Sequence, residues 1–406
     1  MGGLAAEAFL FLGASILAGF LGRLAFRKLR VSDIIVLLAI GFLLGPALGL
    51  MDGAWLTPAM PILAPLGLVI ILFEGGLELR WQEVRRHGAG ALTFSVVSWG
   101  AAVGAIYLVA TRALGLSPMH ALLLAAAVGA TGIIAVIPIL AQVRASPQAR
   151  VWLTTETGLG DLLSAVAVTG LAAMMLTGGG ALDFGLDFGA RVILGAAIGF
   201  LGGLAWSRAL FHIPERSYAY ALTLGALLVA YAATEALGGS GFLGALVFGL
   251  VVGNAGALVK DGGVPALASL SERSREHQGE IIFLLRSVYF VYLGMALGRG
   301  LLTPTSAWAM LALVGAIVAA RVLVVALLHS GDRDTRMLLT GMMPRGMATM
   351  VLAATPAAMG VPGTEALIPL ALLVVIGADI ATSIGLFGCE RRAAHASARA
   401  EAAPDA

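Results

Sequence analysis

"TTETGLGDLLSAVAV", Thr154 to Val168, sets two carboxylates, Glu156 and Asp161, at the head of a run that is otherwise apolar enough to lie in lipid. The run continues to Leu176, and a stretch of about 20 apolar residues is what a helix needs to cross a hydrocarbon core roughly 30 Å thick. Twelve further stretches of the same kind follow or precede it: Leu4–Leu24, Ile34–Leu50, Pro61–Leu79, Ala91–Ala113, His120–Leu140, Ala190–Leu210, Tyr218–Leu237, Gly241–Val259, Ile281–Leu301, Ser306–Leu328, Met337–Ala358 and Glu365–Phe387. The expected fold is therefore an all-α integral membrane protein of about thirteen transmembrane helices. Composition agrees: the chain is 59% hydrophobic and only 12% charged over 406 residues, against roughly 25% charged residues in soluble domains. The continuity of the apolar runs excludes a β-barrel, whose strands alternate.

The basic residues order these helices in the membrane. Starting from Arg23, Arg27, Lys28 and Arg30, every second connection is basic, and such connections hold 20 of the 25 Lys and Arg residues. By the positive-inside rule this alternation predicts an external N-terminus, a cytoplasmic C-terminus and an odd number of helices. The first helix has no basic region before it and reads as a retained helix. Residues 1–390 form one transmembrane unit, and 391–406 read as a short, Ala-rich, disordered cytoplasmic tail. The polar stretch around "SERSREH", within 255–280, reads as a cytoplasmic loop. Gly178-Gly179-Gly180 lacks the strand-to-helix setting of a phosphate loop, so no nucleotide, nucleic acid or cofactor is expected. Cys389 has no partner for an internal disulfide. The six histidines lie near helix ends or in loops and read as solvated.

Ionisable groups at membrane depth cost at least roughly 2.5 kcal/mol each and are rare without a purpose. Here they are Glu74, Glu156, Asp161, Arg321, Arg345 and Asp379; Glu235 and Glu365 stand at segment ends within reach of water. At about 100° per residue, Thr157, Asp161 and Ser164 share one helix face, while Glu156 lies roughly 140° from Asp161. The two acids therefore have different work. Asp161, flanked by hydroxyls, suits a cation site of hard oxygen ligands. Glu156 needs a counter-charge, for which Arg345 of "GMMPRGMATM" is the natural candidate.

A second feature is "GATGIIAVIP", Gly129 to Pro138, where two glycines, a threonine and a proline interrupt an apolar helix. Main-chain carbonyls freed there can bind an ion. "GADIATS", Gly377 to Ser383, reads as a matching interruption in the last helix, and two such breaks in the two halves of a chain suggest an inverted repeat of crossing helices. On that pattern Asp379 would meet Thr131 near the middle of the membrane. Three readings remain open at this point. One is a secondary antiporter for a monovalent cation, Na+ or K+, against protons. Another is an intramembrane aspartyl protease, because Gly158-Leu159-Gly160-Asp161 spells Gly-x-Gly-Asp. The third is a channel or sensor on a transporter fold. The protease would need a second catalytic aspartate, and the preceding apolar stretch, His120–Leu140, contains no acid.

"AIGFLLGPALGL", "LGLVIILFEGGLELRW", "ATGIIAVIPIL", "TETGLGDLLSAV", "GFLGALVFGLVVGN" and "MMPRGMATMVLA" resemble, in that order, successive landmarks of the cation:proton antiporter superfamily, nearest its NhaP-like sodium/proton exchangers. The resemblance implies a homodimer in the membrane lipid, each subunit having interleaved dimerisation and core subdomains and two crossing interrupted helices. It implies that Asp161 binds the monovalent cation or the proton, with Thr157, Glu74 and the main chain near Thr131 around the cation. It also implies that Glu156 and Arg345 form a structural ion pair. Where these exchangers usually read Thr-Asp-Pro, this chain reads Thr131-Gly132-Ile133, and the Asn usually before the essential Asp is Gly160. Two oxygen-bearing side chains are missing, and Asp379 is the candidate to replace the first. The expected transporter is not an enzyme, needs no cofactor beyond the transported ions, and belongs in a bacterial inner membrane.

Overall fold

A computed structural model describes the chain except residues 1, 30–32, 52, 79–80, 133–135, 137–138, 141–142, 144, 179–180, 213–217, 259–264, 297–302, 330–332 and 402–406. Among the described residues every regular element is helical. Among the described residues, seven helices are long and apolar enough to cross a membrane: Ala5–Ala25, Ala89–Arg112, Gln148–Thr177, Gly189–Leu210, Ala219–Ala236, Pro304–Leu328 and Leu367–Leu386. Shorter apolar helices stand between them, among them Asp33–Ala47, Pro65–Leu77, Pro118–Val128, Gly241–Gly253, Phe283–Ala296 and Met347–Ala358.

Several helices touch through glycine, because in lipid close van der Waals packing replaces the hydrophobic drive. Helix α1 (Gly2–Leu29) packs with α2 (Asp33–Phe42), and α3 (Met60–Glu78) follows in the chain. A Cβ placed on Gly76 of α3 would stand 2.1 Å from the Leu246 carbonyl oxygen, and one on Gly249 would stand 2.0 Å from that of Phe73. Neither position can hold any side chain, so the two backbones meet directly.

Around the opening stretch the chain runs α4 (Trp81–Arg112), α5 (Pro118–Val128) and α6 (Pro147–Thr177). Helix α6 starts on Ser146, whose hydroxyl accepts the Ala149 N–H, with Pro147 in the first turn; it ends on Gly178 at φ +70°. Both are strong terminal signals. Its 31 residues span about 46 Å at 1.5 Å each, longer than the hydrocarbon core. Next come α7 (Ala181–Phe211), α8 (Ala219–Ala236), α9 (Gly241–Gly253) and α10 (Pro265–Ala296). The backbone of "SERSREH" belongs to α10, so this stretch is helix and not the expected loop: strong helix formers such as Glu and Arg extend the helix beyond its apolar part, Phe283–Ala296.

The chain closes with α11 (Pro304–Leu328), α12 (Arg333–Gly341), α13 (Met347–Ala358) and α14 (Leu367–Glu401). Two expectations change here. Helix α14 is continuous through Gly377–Ser383, and through the supposed tail to Glu401. The second interruption lies instead at 342–346, between α12 and α13. Pro344 explains it: proline has no N–H to give and keeps the residue before it out of the helical region. Glycine and alanine at 377–378 remove no hydrogen bond, so α14 runs through them. The first interruption falls where expected, at 129–132 after α5; the rest of the expected break, to Pro138, lies largely outside the described residues.

Candidate functional site

The two interruptions meet main chain to main chain. The Gly132 N–H donates to the Pro344 carbonyl at 2.9 Å. A Cβ on Gly132 would stand 3.0 Å from the Gly346 nitrogen and 3.3 Å from its Cα, so glycine lets the two segments approach this closely. Gly160 of α6 backs the same point, its Cβ direction meeting Ala130 at 3.3 Å.

The ends of the half-helices create charge at the crossing. Carbonyls at the C-terminus of α12 carry partial negative charge, and N–H groups at the N-terminus of α13 carry partial positive charge. Arg321 of α11 answers the first. Its Nε donates to the Leu339 carbonyl at 2.7 Å and its Nη2 to that of Met342 at 2.9 Å. Asp379 of α14 answers the second, its Oδ1 accepting the Arg345 main-chain N–H at 3.2 Å.

Arg321 also forms the ion pair with Glu156, Nη1 to Oε1. This corrects the expected Glu156–Arg345 pair. The Arg345 Nη1 instead donates to Thr131 Oγ1 at 3.0 Å, and Thr131 Oγ1 in turn donates to Glu156 Oε1 at 3.3 Å. Arg345 thus reaches Glu156 through a hydroxyl. Arg321 has the direct position because it is anchored to the α12 carbonyls beside Glu156 and lies 5.1 Å from the Phe94 ring centroid. Sequence reasoning had Arg321 in hand as a buried charge and lacked a reason to choose it; only the location of the second break supplies one.

Asp161 is buried at 1% exposure, on α6 between Thr157 and Ser164, each at 0%. Thr157 Oγ1 donates to the Thr154 carbonyl at 3.0 Å, which leaves its lone pairs facing outward as acceptors. Thr131, Arg345 and Asp379 are buried as well. Glu74 is half-buried on α3 and accepts a long hydrogen bond, 3.4 Å, from the Tyr220 hydroxyl of α8. The structure thus joins Glu156, Thr131, Arg345, Arg321 and Asp379 in one hydrogen-bonded cluster, and ties Glu74 to a different neighbour that sequence analysis did not single out. One histidine also differs from expectation: His329 is buried and stands edge-on to Trp152, ring centroids 5.8 Å apart.

A family model described as "Sodium/hydrogen exchanger, transmembrane" matches residues 13–387. The chain belongs to the sodium/hydrogen exchanger family. It is 24% identical over 363 residues to Na(+)/H(+) antiporter 1 of Methanocaldococcus jannaschii, covering 85% of this chain and 82% of that one. It is 27% identical over 379 residues to the K(+)/H(+) antiporter NhaP of Alkalimonas amylolytica, covering 90% of this chain but only 63% of that longer one. The structure of the sodium proton antiporter MjNhaP1 from Methanocaldococcus jannaschii at pH 8 has the same fold: TM-score 0.76 over 94% of this chain and 98% of that chain, at 20% identity. This exchanger-family chain is accordingly a multi-pass membrane protein of a transporter family, and the protease reading of Gly158–Asp161 falls away.

Proposed function

We propose that the protein exchanges a monovalent cation, Na+ or K+, for protons by alternating access, with Asp161 as the group for which the two compete. The observation that carries this is a carboxylate buried at 1% exposure on a long membrane helix, beside the crossing of two interrupted helices. The names of the relatives support both cations, since they include Na(+)/H(+) and K(+)/H(+) antiporters. Around Asp161, Arg321 pairs with Glu156, the Arg345 guanidinium donates to Thr131, and the Arg345 main-chain N–H donates to Asp379. Thr157, on the same face as Asp161, and the main chain at Thr131 offer oxygen ligands, and Glu74 lines the approach from the Tyr220 side. Asp379 we assign to the scaffold, as the acceptor at the start of α13.

The apolar helices read as thirteen crossings, with an external N-terminus and a cytoplasmic C-terminus, in a bacterial inner membrane. The subunit pairs with a second copy, and the core carrying α4–α6 and α11–α14 moves against the remaining helices. Proteoliposomes test the function. An imposed Na+ or K+ gradient should drive protons in the opposite direction, and Asp161→Asn, isosteric but unable to cycle a proton, should abolish this while the protein still folds and melts normally. Exchange near the wild-type rate in Asp161→Asn would remove Asp161 from the role.

A further inference from the structure

Resting on that reading, we infer that Ser164, fixed by Trp99, is a further oxygen of the cation site and sets its affinity. Ser164 is fully buried three residues beyond Asp161 on α6. Residues three apart on a helix face each other, with Cβ atoms about 5–6 Å apart, a span that a cation held between two oxygens can bridge. The site needs such an oxygen, because Gly132 and Gly160 bring none.

The Ser164 hydroxyl is also held in place. The Trp99 indole N–H, from α4, donates to Ser164 Oγ at 2.9 Å. Thr157 and Thr169 on the same helix donate their hydroxyl protons to carbonyls about one turn back. The bond described for Ser164 is one that it accepts. One lone pair is occupied, and the second, with the hydroxyl proton, faces the remaining directions around Oγ. Trp99 itself is wedged against the first interruption: its Nε1 lies 3.4 Å from where a Cβ on Gly129 would stand. The indole thereby joins α4, Ser164 and the main chain at Gly129, two residues from Thr131, and orients the serine oxygen relative to the broken helix. Indole donates and never accepts, so it fixes Ser164 as an acceptor, the role that a cation ligand needs.

The test is initial exchange rate against Na+, K+ and Li+ concentration in proteoliposomes, for wild type, Ser164→Ala, Ser164→Thr, Trp99→Phe and the Ser164→Ala/Trp99→Phe double variant. Ser164→Ala should raise the apparent KM for the transported cation at least about fivefold, a larger change than any fall in maximal rate. Ser164→Thr, which keeps the oxygen, should restore KM to within about twofold. Trp99→Phe should raise KM in the same direction, and the double variant should be no worse than Ser164→Ala alone, because the indole acts through the serine. As a readout independent of transport, the rise in melting temperature that saturating cation gives the wild type should shrink in Ser164→Ala. An unchanged KM for all three cations in Ser164→Ala, or a fully additive Trp99→Phe effect, overturns the inference. Failure of wild type itself to couple cation and proton would instead overturn the antiport reading, so the two failures are distinguishable.

Discussion

Arg321→Met should destabilise the protein strongly, and Glu156→Gln should largely rescue it. Both side chains of the pair are only 5% exposed. Removing the guanidinium leaves a buried carboxylate whose Oε1 keeps only the long hydrogen bond from Thr131, and whose Oε2 already has no partner. Breaking one side of a buried pair costs about 3–5 kcal/mol, and the carbonyls of Leu339 and Met342 also lose their donor, which favours the upper part of that range. An unfolding entropy of about 2.1 cal/mol/K per residue over 406 residues gives about 0.85 kcal/mol/K, so the loss corresponds to a Tm lower by about 4–6 °C. In the double variant no charge is stranded, and only the carbonyls remain unserved, at about 1–2 kcal/mol. The assay is a thermal melt of purified protein in detergent for the four members of the cycle. The double variant should melt several degrees above the sum of the single effects. The same cycle with Arg345→Met should show less than half of that coupling, because Arg345 meets Glu156 only through the Thr131 hydroxyl. Additivity within about 0.5 kcal/mol for Glu156 and Arg321, or the larger coupling for Arg345, would refute the pairing.

Asp379→Asn keeps an oxygen acceptor for the Arg345 N–H but removes the charge facing the positive end of α13, an effect of about 0.3–2 kcal/mol. Tm should fall by about 1–2 °C with the apparent cation KM within about threefold of wild type; a tenfold loss of affinity, roughly 1.4 kcal/mol, would instead put this carboxylate on the ion. Gly132→Ala forces a methyl group to within 3.0 Å of the Gly346 nitrogen, and overpacking of this kind costs about 1–3 kcal/mol. A melting temperature equal to or above that of wild type would show that the crossing is looser than the geometry described above.

The membrane class and the approximate helix positions were legible in the sequence because lipid imposes a length and a polarity that each segment must satisfy alone. Asp161 and Thr157 were legible for a related reason: they lie on one regular helix, where spacing fixes which side chains share a face. The first interruption was visible in Gly129, Gly132 and Pro138. The second was misplaced because Gly377-Ala378 looked like Gly129-Ala130, a similarity of composition, while Pro344 and Gly346, which remove a donor and free the backbone, stood in plain view inside Met337–Ala358. The partner of Glu156 was not legible at all. Arg321 and Arg345 are both buried arginines, and the choice depends on which guanidinium the carbonyls at the end of α12 can hold, a tertiary matter.

The placement of charge around the crossing also bears on why Gly132 carries no acid. Each broken helix presents a dipole end that needs an opposite charge, and in this chain those charges come from outside the breaks: Arg321 from α11 and Asp379 from α14. An aspartate at position 132 would therefore face a positive end that Asp379 already serves, in a space where even its Cβ is tight against Gly346. It would also add a further carboxylate where Glu156, Asp161 and Asp379 are already buried. With glycine there, Glu156 keeps its pair with Arg321 and Asp379 keeps the Arg345 main-chain N–H, and neither shares its partner with a further acid. On the proposed function, in which Asp161 carries either one proton or one monovalent cation, the expected exchange is one-for-one and electroneutral. Glu74 is half-buried and accepts a hydrogen bond from the Tyr220 hydroxyl.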